Sequence, residues 1–567
     1  MRHYSRTIFL LILIGALLLP VSLFAKKQKK EINDVGIPVD TIIDEQKNIH
    51  IPIDFDKNYP LLADFNAREN RLEWFKTANI GVYLNLGLHS FVGYQFEGRF
   101  VVNSEWMLHL GQVNPAIYEA KAKELAFPEF DIDKYVEWVL SIGAKYVILN
   151  AKHFDGFTMY NSAYTDYDII DSPENQIGDL YEKLVSKLKG KGVKIGFHYS
   201  ILDWHHPSQI AYNKEGGRHI VDLDTPITPE GKTEYIQYMK NQLTELMVRY
   251  QAEIFCFDGE WVSWWTSKDG WELQEYILTV NPKVIVNSRI GKRTKFDGDF
   301  DSFDQTAPIN HKKIMRPFEV HFQGDLRYGY DIQERLLSFN IFKRRMHDSI
   351  SKGGNILFSF SPNTVGDFSK MIFDRSVKIK QWLGENGAKV LEEADVAPRQ
   401  FWPTGFFGKM ARSWRRFYIK DNKLYCVALY NPGSVTVAVP EMHDAIYTKG
   451  YFLDRPYEEF KILNQDKVLK ERAIFFKEEN RDNNKKSKSK AKDKKSKVAG
   501  EGLFFDTVKE NEIFGYSELE FNKFDFGDVE FSVRRWPYPL NDRANIMVFE
   551  FEPISREQVI SQYGGKK

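Results

Sequence analysis

The sequence predicts an α/β architecture: a (β/α)8-like, TIM-type barrel followed by a C-terminal all-β sandwich. Three observations predict it. From Ile80 onward, short apolar runs alternate with helical patterns, which means crossover units and a parallel sheet. Six or more such units fall within roughly 330 residues, which favours a closed barrel over an open sheet. After about residue 395 the helical pattern gives way to short β-rich runs separated by turns, the pattern of a sandwich.

The elements follow in order. Gly81 to Gly87 reads as a strand, Asp131 to Ile142 as a helix and Tyr146 to Lys152 as the next strand. Asp179 to Lys189 is helical by spacing, and Lys194 to Ser200 returns to strand. Thr228 to Arg249 forms a long helix leading into Ile254–Phe257, four apolar residues that suit a strand buried on both faces. Trp271 to Leu278 is helical, Val284 to Ser288 a strand, Ile332 to Ser351 a helix and Asn355 to Ser361 a strand. In the C-terminal part Leu424 to Tyr430, Thr436 to Val439 and Val529 to Val533 read as strands. The resulting division is a barrel over residues 61–395 and a sandwich over 396–567. The Lys-rich stretch 483–497 inside the latter reads as a solvated loop.

The first 25 residues read as a signal peptide. Arg2 and Arg6 precede an apolar stretch from Ile8 to Leu19, with Ala25 as the cleavage point. An exported protein, periplasmic or extracellular, is therefore expected, with no membrane span once the signal is removed. Residues 26–60 form a leader. Charge balances, 78 basic against 78 acidic residues, and gives no argument for nucleic acid. Aromatic residues make up 15% of the chain, including 12 Trp and 28 Tyr, a composition compatible with carbohydrate stacking. Only Cys256 and Cys426 occur, and Cys256 lies within an apolar strand, so buried thiols are expected rather than a disulfide.

The chemistry concentrates at the strand ends. The Ile254 strand finishes in Asp258-Gly259-Glu260-Trp261, an acid at the carboxyl end of a buried strand, where a parallel barrel places its reactive groups. Asn85-Leu86-Gly87-Leu88-His89, Lys152-His153-Phe154-Asp155, His198-Tyr199-Ser200 and Val286-Asn287-Ser288-Arg289 close the other strands. Imidazoles, a phenol, indoles, a guanidinium and carboxylates from five successive strands converge on one rim. Any one of them alone could be a capping or core group. No pair has recurrent metal-ligand spacing, so neither metal nor organic cofactor is implied.

The set resembles glycoside hydrolase family 29, the retaining α-L-fucosidases. The resemblance rests on Glu105-Trp106, on Gly143-Ala144-Lys145-Tyr146 running into Ala151-Lys152-His153, and on Asp155-Gly156-Phe157. It continues in Leu202-Asp203-Trp204-His205-His206-Pro207, Phe257-Asp258-Gly259 and Ser351-Lys352-Gly353-Gly354-Asn355, and covers about residues 60–395 in order. It implies a barrel and a C-terminal sandwich, a glycan substrate and Asp258 as nucleophile. Glu105, Trp106, Asn85, His153, Phe154, Tyr199, Arg289 and Trp261 would line the sugar pocket. Arg289 would aim Asp258, and Tyr199 would hydrogen-bond it. Retaining hydrolysis needs a second carboxyl roughly 5–5.5 Å away to protonate the leaving oxygen.

This chain also departs from the family pattern. Asn85-Leu86 stands where a His-Trp pair is usual, and Phe154 where a second His is usual, so the bound sugar is expected to differ at one position. The usual acid is a Glu; here Asp299-Phe300-Asp301-Ser302-Phe303-Asp304-Gln305 occupies that place, making Asp304 the aligned acid. Phe300 and Phe303 are expected to raise its pKa, with Glu260 and Glu319 as substitutes. The implied activity is hydrolysis of α-L-fucosyl or closely related deoxy-sugar linkages. The alternatives are the same chemistry on a substituted fucose or different sugar, and a non-catalytic sugar-binding protein on a degenerate barrel.

Overall fold

The computed structural model describes residues 55–565 apart from 210–211, 216–217, 309–315, 325–335, 369, 398–400, 402–414, 430–435, 441, 443, 491–527 and 533–544. The expected signal peptide and nearly all of the leader lie outside these residues. No helix among the described residues is long and apolar enough to cross a membrane.

Eight strands run parallel in sequence order around one sheet: β1 Ile80–Leu84, β2 Tyr146–Lys152, β3 Lys194–Ser200, β4 Ile254–Asp258, β5 Ile285–Val286, β6 Asp301–Asp304, β7 Phe318–Gln323 and β8 Gly354–Phe360. β8 pairs back onto β1, with Ile80 opposite Ile356 and Leu84 opposite Phe360. The chain after a β-run returns through α1 Phe65–Lys76 (ahead of β1), α2 Ile132–Ser141, α3 Leu180–Lys189, α4 Pro229–Val248, α5 Ser267–Val280, α6 Phe339–Ile350 and α7 Lys370–Glu393. Each long helix that carries a polar cap starts at a residue built for it. Asp131, Asp179 and Thr228 accept main-chain N–H bonds, and Thr266 forms a reciprocal box with Asp269.

Two strands were not legible in the sequence, β6 and β7. β6 is four residues with two acids, and β7 carries Glu319 and His321 on its inward face. Neither gives an apolar run. The helix expected from Ile332 starts at Phe339, after Ser338, and residues 332–335 are outside the described part.

β5 and β6 meet at a seam, not a ladder. Asn287 and Phe300 form one parallel bridge, and Ser288 N donates to Phe300 O at 2.8 Å. Asp299 splices the gap: one carboxylate oxygen accepts from Val286 N at 2.9 Å, the other from Arg71 Nη2 at 2.7 Å. Arg71 belongs to α1, which plugs the amino-terminal end of the barrel. There Phe75 packs on Phe300 (ring centroids 4.5 Å) and Tyr146 (5.8 Å). The outward residues of the strands, such as Val82, Val147, Phe197, Phe255 and Phe257, join the large core shared with the helices. A fully buried ring of this kind stabilises by roughly 1.5–3 kcal/mol.

The C-terminal region forms two antiparallel sheets. One has the order β9 Asp395–Val396, β10 Arg415–Lys420, β11 Lys423–Ala428, β16 Asn545–Pro553 and β13 Ala445–Phe452; the other has β12 Thr436–Pro440, β15 Asp528–Ser532 and β14 Lys461–Ile462. Their facing side chains, among them Phe417, Cys426, Val437, Phe531 and Phe549, make a second core. Cys256 and Cys426 are both buried and unpaired. The Lys-rich stretch expected as a loop is in part helix: α8 runs from Gln465 to Lys490, because 465–478 carry good helix formers and the lysines extend them. Residues 491–497 lie outside the described part. A last helix, α9 Arg556–Tyr563, packs on α8.

Candidate active site

The carboxyl end of β4 delivers Asp258 to the barrel mouth, and its main chain is held from both sides. Ile201 N donates to Asp258 O at 2.8 Å, and the Asn287 side chain clamps the preceding peptide, accepting from Phe257 N at 2.8 Å and donating to Phe257 O at 3.0 Å. Gly259 then turns at φ 86°, a left-handed conformation; a Cβ there would also lie 2.6 Å from Leu202 N. The sharp exit leaves the Asp258 carboxylate 20% exposed at the mouth.

One guanidinium ties two carboxylates together. Arg289, in a short helical turn after β5, donates through Nη1 to Asp258 Oδ1 at 2.7 Å and through Nη2 to Asp304 Oδ2. Both amino nitrogens hang from one carbon, so a single cation holds the two carboxylates at the same mouth. Arg289 is itself buried, but Asp304, Asp258 and Glu260 around it hold its pKa well above the ordinary value. Asp304 is half exposed and faces the mouth. Burial pushes its carboxyl up, but Arg289 and then His321, 4.0 Å away, outweigh it and hold the group below the usual carboxylate range. The expected upward push from the neighbouring rings is absent in substance. Phe300 points into the barrel plug and Phe303 packs on Phe318 at 5.7 Å, so neither surrounds the carboxyl.

The two substitute acids are differently placed. Glu260 is buried against Arg293; burial and Asp258 raise its pKa while Arg293 and Arg289 oppose. Glu319 lies inside the barrel, 1% exposed, accepting from Tyr146 OH at 2.8 Å and facing Cys256 Sγ at 3.6 Å. Burial lifts it to about 7. Cys256 precedes Asp258 by two on β4, so Glu319 lies a layer deeper in the barrel than the nucleophile position.

The opposite side of the mouth is built from β1, β2 and the segment after β1. Asn85 Nδ2 donates to Glu105 Oε1 at 2.6 Å, and His153 Nε2 lies 3.6 Å from the same oxygen. Phe154, Trp106, Trp204 and Trp261 form an aromatic wall with ring centroids 5.4–6.4 Å apart. Trp261 is pinned by its indole N–H to Leu223 O at 3.0 Å. Three imidazoles run across the floor: His89 to His153 at 5.1 Å and His153 to His198 at 4.9 Å, the latter pair stacked. Burial keeps all three neutral, with neighbouring imidazoles adding to it at His153 and His89 and Asp258 opposing it at His198: His153 lies well below its ordinary value, His198 at about 4 and His89 at about 3.

Tyr199 is a correction. Its hydroxyl donates to Gln242 Oε1 on α4 at 2.6 Å, and Lys152 Nζ lies 4.6 Å from its ring, so it faces the helix layer and not the sugar. Strand alternation explains this: in β3 it is His198 that shares the inward face, beside Asn150 at 3.3 Å and Tyr83 at 5.6 Å. On β2 a bulge between Asn150 and Lys152 shifts the register, turning Lys152 outward to Asp203 and leaving His153 inward. His198 and His321 were missed in the sequence reading of the pocket. The signal was available in the period-two pattern of His198-Tyr199-Ser200. No group of three or more His, Cys, Asp or Glu among the described residues is arranged to hold a metal ion.

The model of a protein family described as Alpha-L-fucosidase matches residues 56–388. Among curated proteins, the tissue alpha-L-fucosidase of Rattus norvegicus is 26% identical over 401 residues, covering 66% of this chain and 79% of its own length. The alpha-L-fucosidase of Dictyostelium discoideum is 22% identical over 344 residues, covering 56% and 70%. Among solved structures, alpha-L-fucosidase isoenzyme 1 from Paenibacillus thiaminolyticus superposes with a TM-score of 0.60 at 21% identity, over 86% of this chain and 100% of that one. A family 29 alpha-L-fucosidase from Bacteroides thetaiotaomicron gives 0.62 at 18%, over 85% and 95%.

Proposed function

From the premise that this chain belongs to the alpha-L-fucosidase family, we propose that it hydrolyses α-L-fucosyl or closely related deoxy-sugar linkages with retention, through a covalent glycosyl-enzyme. It is a glycoside hydrolase acting on a glycan. The observation that carries the mechanism is the single guanidinium of Arg289 shared between Asp258 and Asp304. Asp258 attacks the anomeric carbon and Asp304 serves the leaving oxygen, protonating it and then taking a proton from the incoming water. The shared arginine couples the two steps. Once Asp258 is esterified it no longer competes for Arg289, so the pKa of Asp304 falls and its carboxyl gives up its proton at the moment it must turn base. Glu105, Asn85, His153 and the aromatic wall hold the sugar. The test is turnover of an aryl α-L-fucoside by the parent and by Asp258→Gly. Loss of all but a trace of rate, with folding intact, is expected; near-parent activity in Asp258→Gly overturns the assignment.

Phe154 supports a narrower reading, that the sugar is modified at one position. It replaces a hydrogen-bonding ring by apolar surface that is already packed by Trp106, Trp204 and Trp261. The pocket then tolerates or prefers a substituent at the hydroxyl it no longer binds. The basic and apolar amino terminus, Arg2 to Leu19, supports export of the protein. Fractionation of the producing cells checks it, and a purely cytosolic product contradicts it.

A further inference from the structure

Asn85 is a neutral amide, and an amide can present either its oxygen or its nitrogen to a neighbour. Which one it presents decides whether Glu105 gains a hydrogen bond or a repulsive contact. We propose that His89 is a positioning residue that fixes the Asn85 amide and, through it, the carboxylate of Glu105 that faces the sugar. The proposal rests on reading this mouth as the sugar pocket.

The geometry forms one directed chain. His89 Nε2 lies 2.9 Å from Asn85 Oδ1, and Asn85 Nδ2 lies 2.6 Å from Glu105 Oε1. The amide oxygen only accepts, so the proton of the imidazole is on Nε2. With the oxygen so engaged, the NH2 group is turned to Glu105. His89 Nδ1 is buried without a partner, as the unprotonated nitrogen of that tautomer, and burial keeps the ring neutral. Among the described residues, His89 is the group that engages the amide oxygen, and Glu105 the one that engages the amide nitrogen. The Asn85 main chain is pinned, its N–H donating to Phe360 O at 3.1 Å and its carbonyl accepting from Ser90 Oγ at 3.0 Å, so rotation of the amide is the freedom left. Glu105 is in turn shared with His153, 3.6 Å away, and with Asn103 Nδ2 at 3.5 Å. Asn85 and His89 are both buried, at 0% and 1% exposure, so solvent offers the amide no alternative donor.

His89 is held where it is by Gly87. A Cβ at that position would lie 2.7 Å from both Nδ1 and Cε1 of the imidazole, and 2.9 Å from Asn150 Nδ2. The Gly87 backbone is extended (φ −170°), so alanine fits the main chain and acts by pushing the ring and, less closely, the Asn150 amide. Gly87→Ala is therefore an independent way to disturb His89.

The experiment uses the full chain with para-nitrophenyl α-L-fucoside. His89→Phe keeps the ring volume and removes the donor. Its KM should rise about 10- to 100-fold with kcat within about threefold of the parent, as expected for a lost buried hydrogen bond that served binding. His89→Gln, whose amide can again donate to Asn85 Oδ1, should recover most of that loss, and Gly87→Ala should resemble His89→Phe. Unchanged KM in His89→Phe, or no rescue by His89→Gln, overturns the proposal. A second readout does not depend on activity. His89→Phe and Asn85→Leu, singly and together, form a thermal-unfolding cycle in which the double variant should lose little more than the worse single. Losses that simply add also overturn it. A parent that neither binds nor cleaves the fucoside removes the proposed function instead, while the unfolding cycle still decides the role of His89.

Discussion

At the scale of single residues, charge decides the chemistry. Arg289 and His321 hold Asp304 low, so the fraction of protonated acid falls as pH rises. Hydrolysis of poor leaving groups should be fastest at acidic pH and decline toward neutrality. A kcat/KM profile flat up to about pH 8 would remove Asp304 from the acid role. Asp304→Ala should slow such substrates far more than activated aryl ones; equal losses would assign it to binding. Glu319 gives a separate expectation for stability. Burial raises its folded pKa to about 7, above the 4.5 of a free glutamate, so its favourable contribution is complete below about 4.5 and is lost as pH rises through 7. Glu319→Gln cannot ionise. Between about pH 5 and 8 the parent should lose on the order of 3 kcal/mol that the variant keeps, measured by denaturant unfolding. Identical pH dependence in the two would place the charge elsewhere.

At the scale of elements, a strand's two faces have different jobs. Tyr199→Phe leaves Gln242 Oε1 without its donor, at a cost of about 1–3 kcal/mol, yet should leave kcat/KM unchanged because the phenol points at α4. A large loss of activity at unchanged stability would return Tyr199 to the pocket. Gly259→Ala should do the reverse of a surface change: strain at φ 86° and a clash with Leu202 should cost both folding and turnover. These assignments also show what the sequence made legible. The buried strand Ile254–Phe257 and its acid were readable because four apolar residues end in Asp-Gly. His153 was readable from its motif, although the bulge that turns it inward was not. β6 and β7 escaped because their inward faces carry Asp304, Glu319 and His321, so the polar groups that make the site erase the apolar pattern that marks a strand. Tyr199 sits in a family-like motif, but strand alternation turns its side chain outward to Gln242.

At the scale of the whole molecule, the barrel core reaches onto the sandwich at Tyr418, Val427, Leu429 and Ile546, and α6 adds polar ties between the two. His347 Nδ1 and Tyr418 OH are 2.7 Å apart, Lys343 Nζ donates to Leu429 O at 3.1 Å, and Arg416 pairs with Asp348. Arg416 is 2% exposed, so Arg416→Ala should cost about 3–5 kcal/mol by leaving a carboxylate in a poorly solvated place. A two-transition melt in the variant, against one in the parent, would locate the loss at this junction. The seam between β5 and β6 carries a different consequence, one of timing. Arg71 leaves the ribosome 228 residues before its partner Asp299, and the strand that closes β1 follows later still. At roughly 5–20 residues per second, α1 waits on the order of tens of seconds with its arginine and its aromatic plug uncovered. The nascent barrel is then a curved sheet with two open edges and no floor. A chaperone that holds such chains has its longest opportunity in that interval, before the last third of the barrel is made.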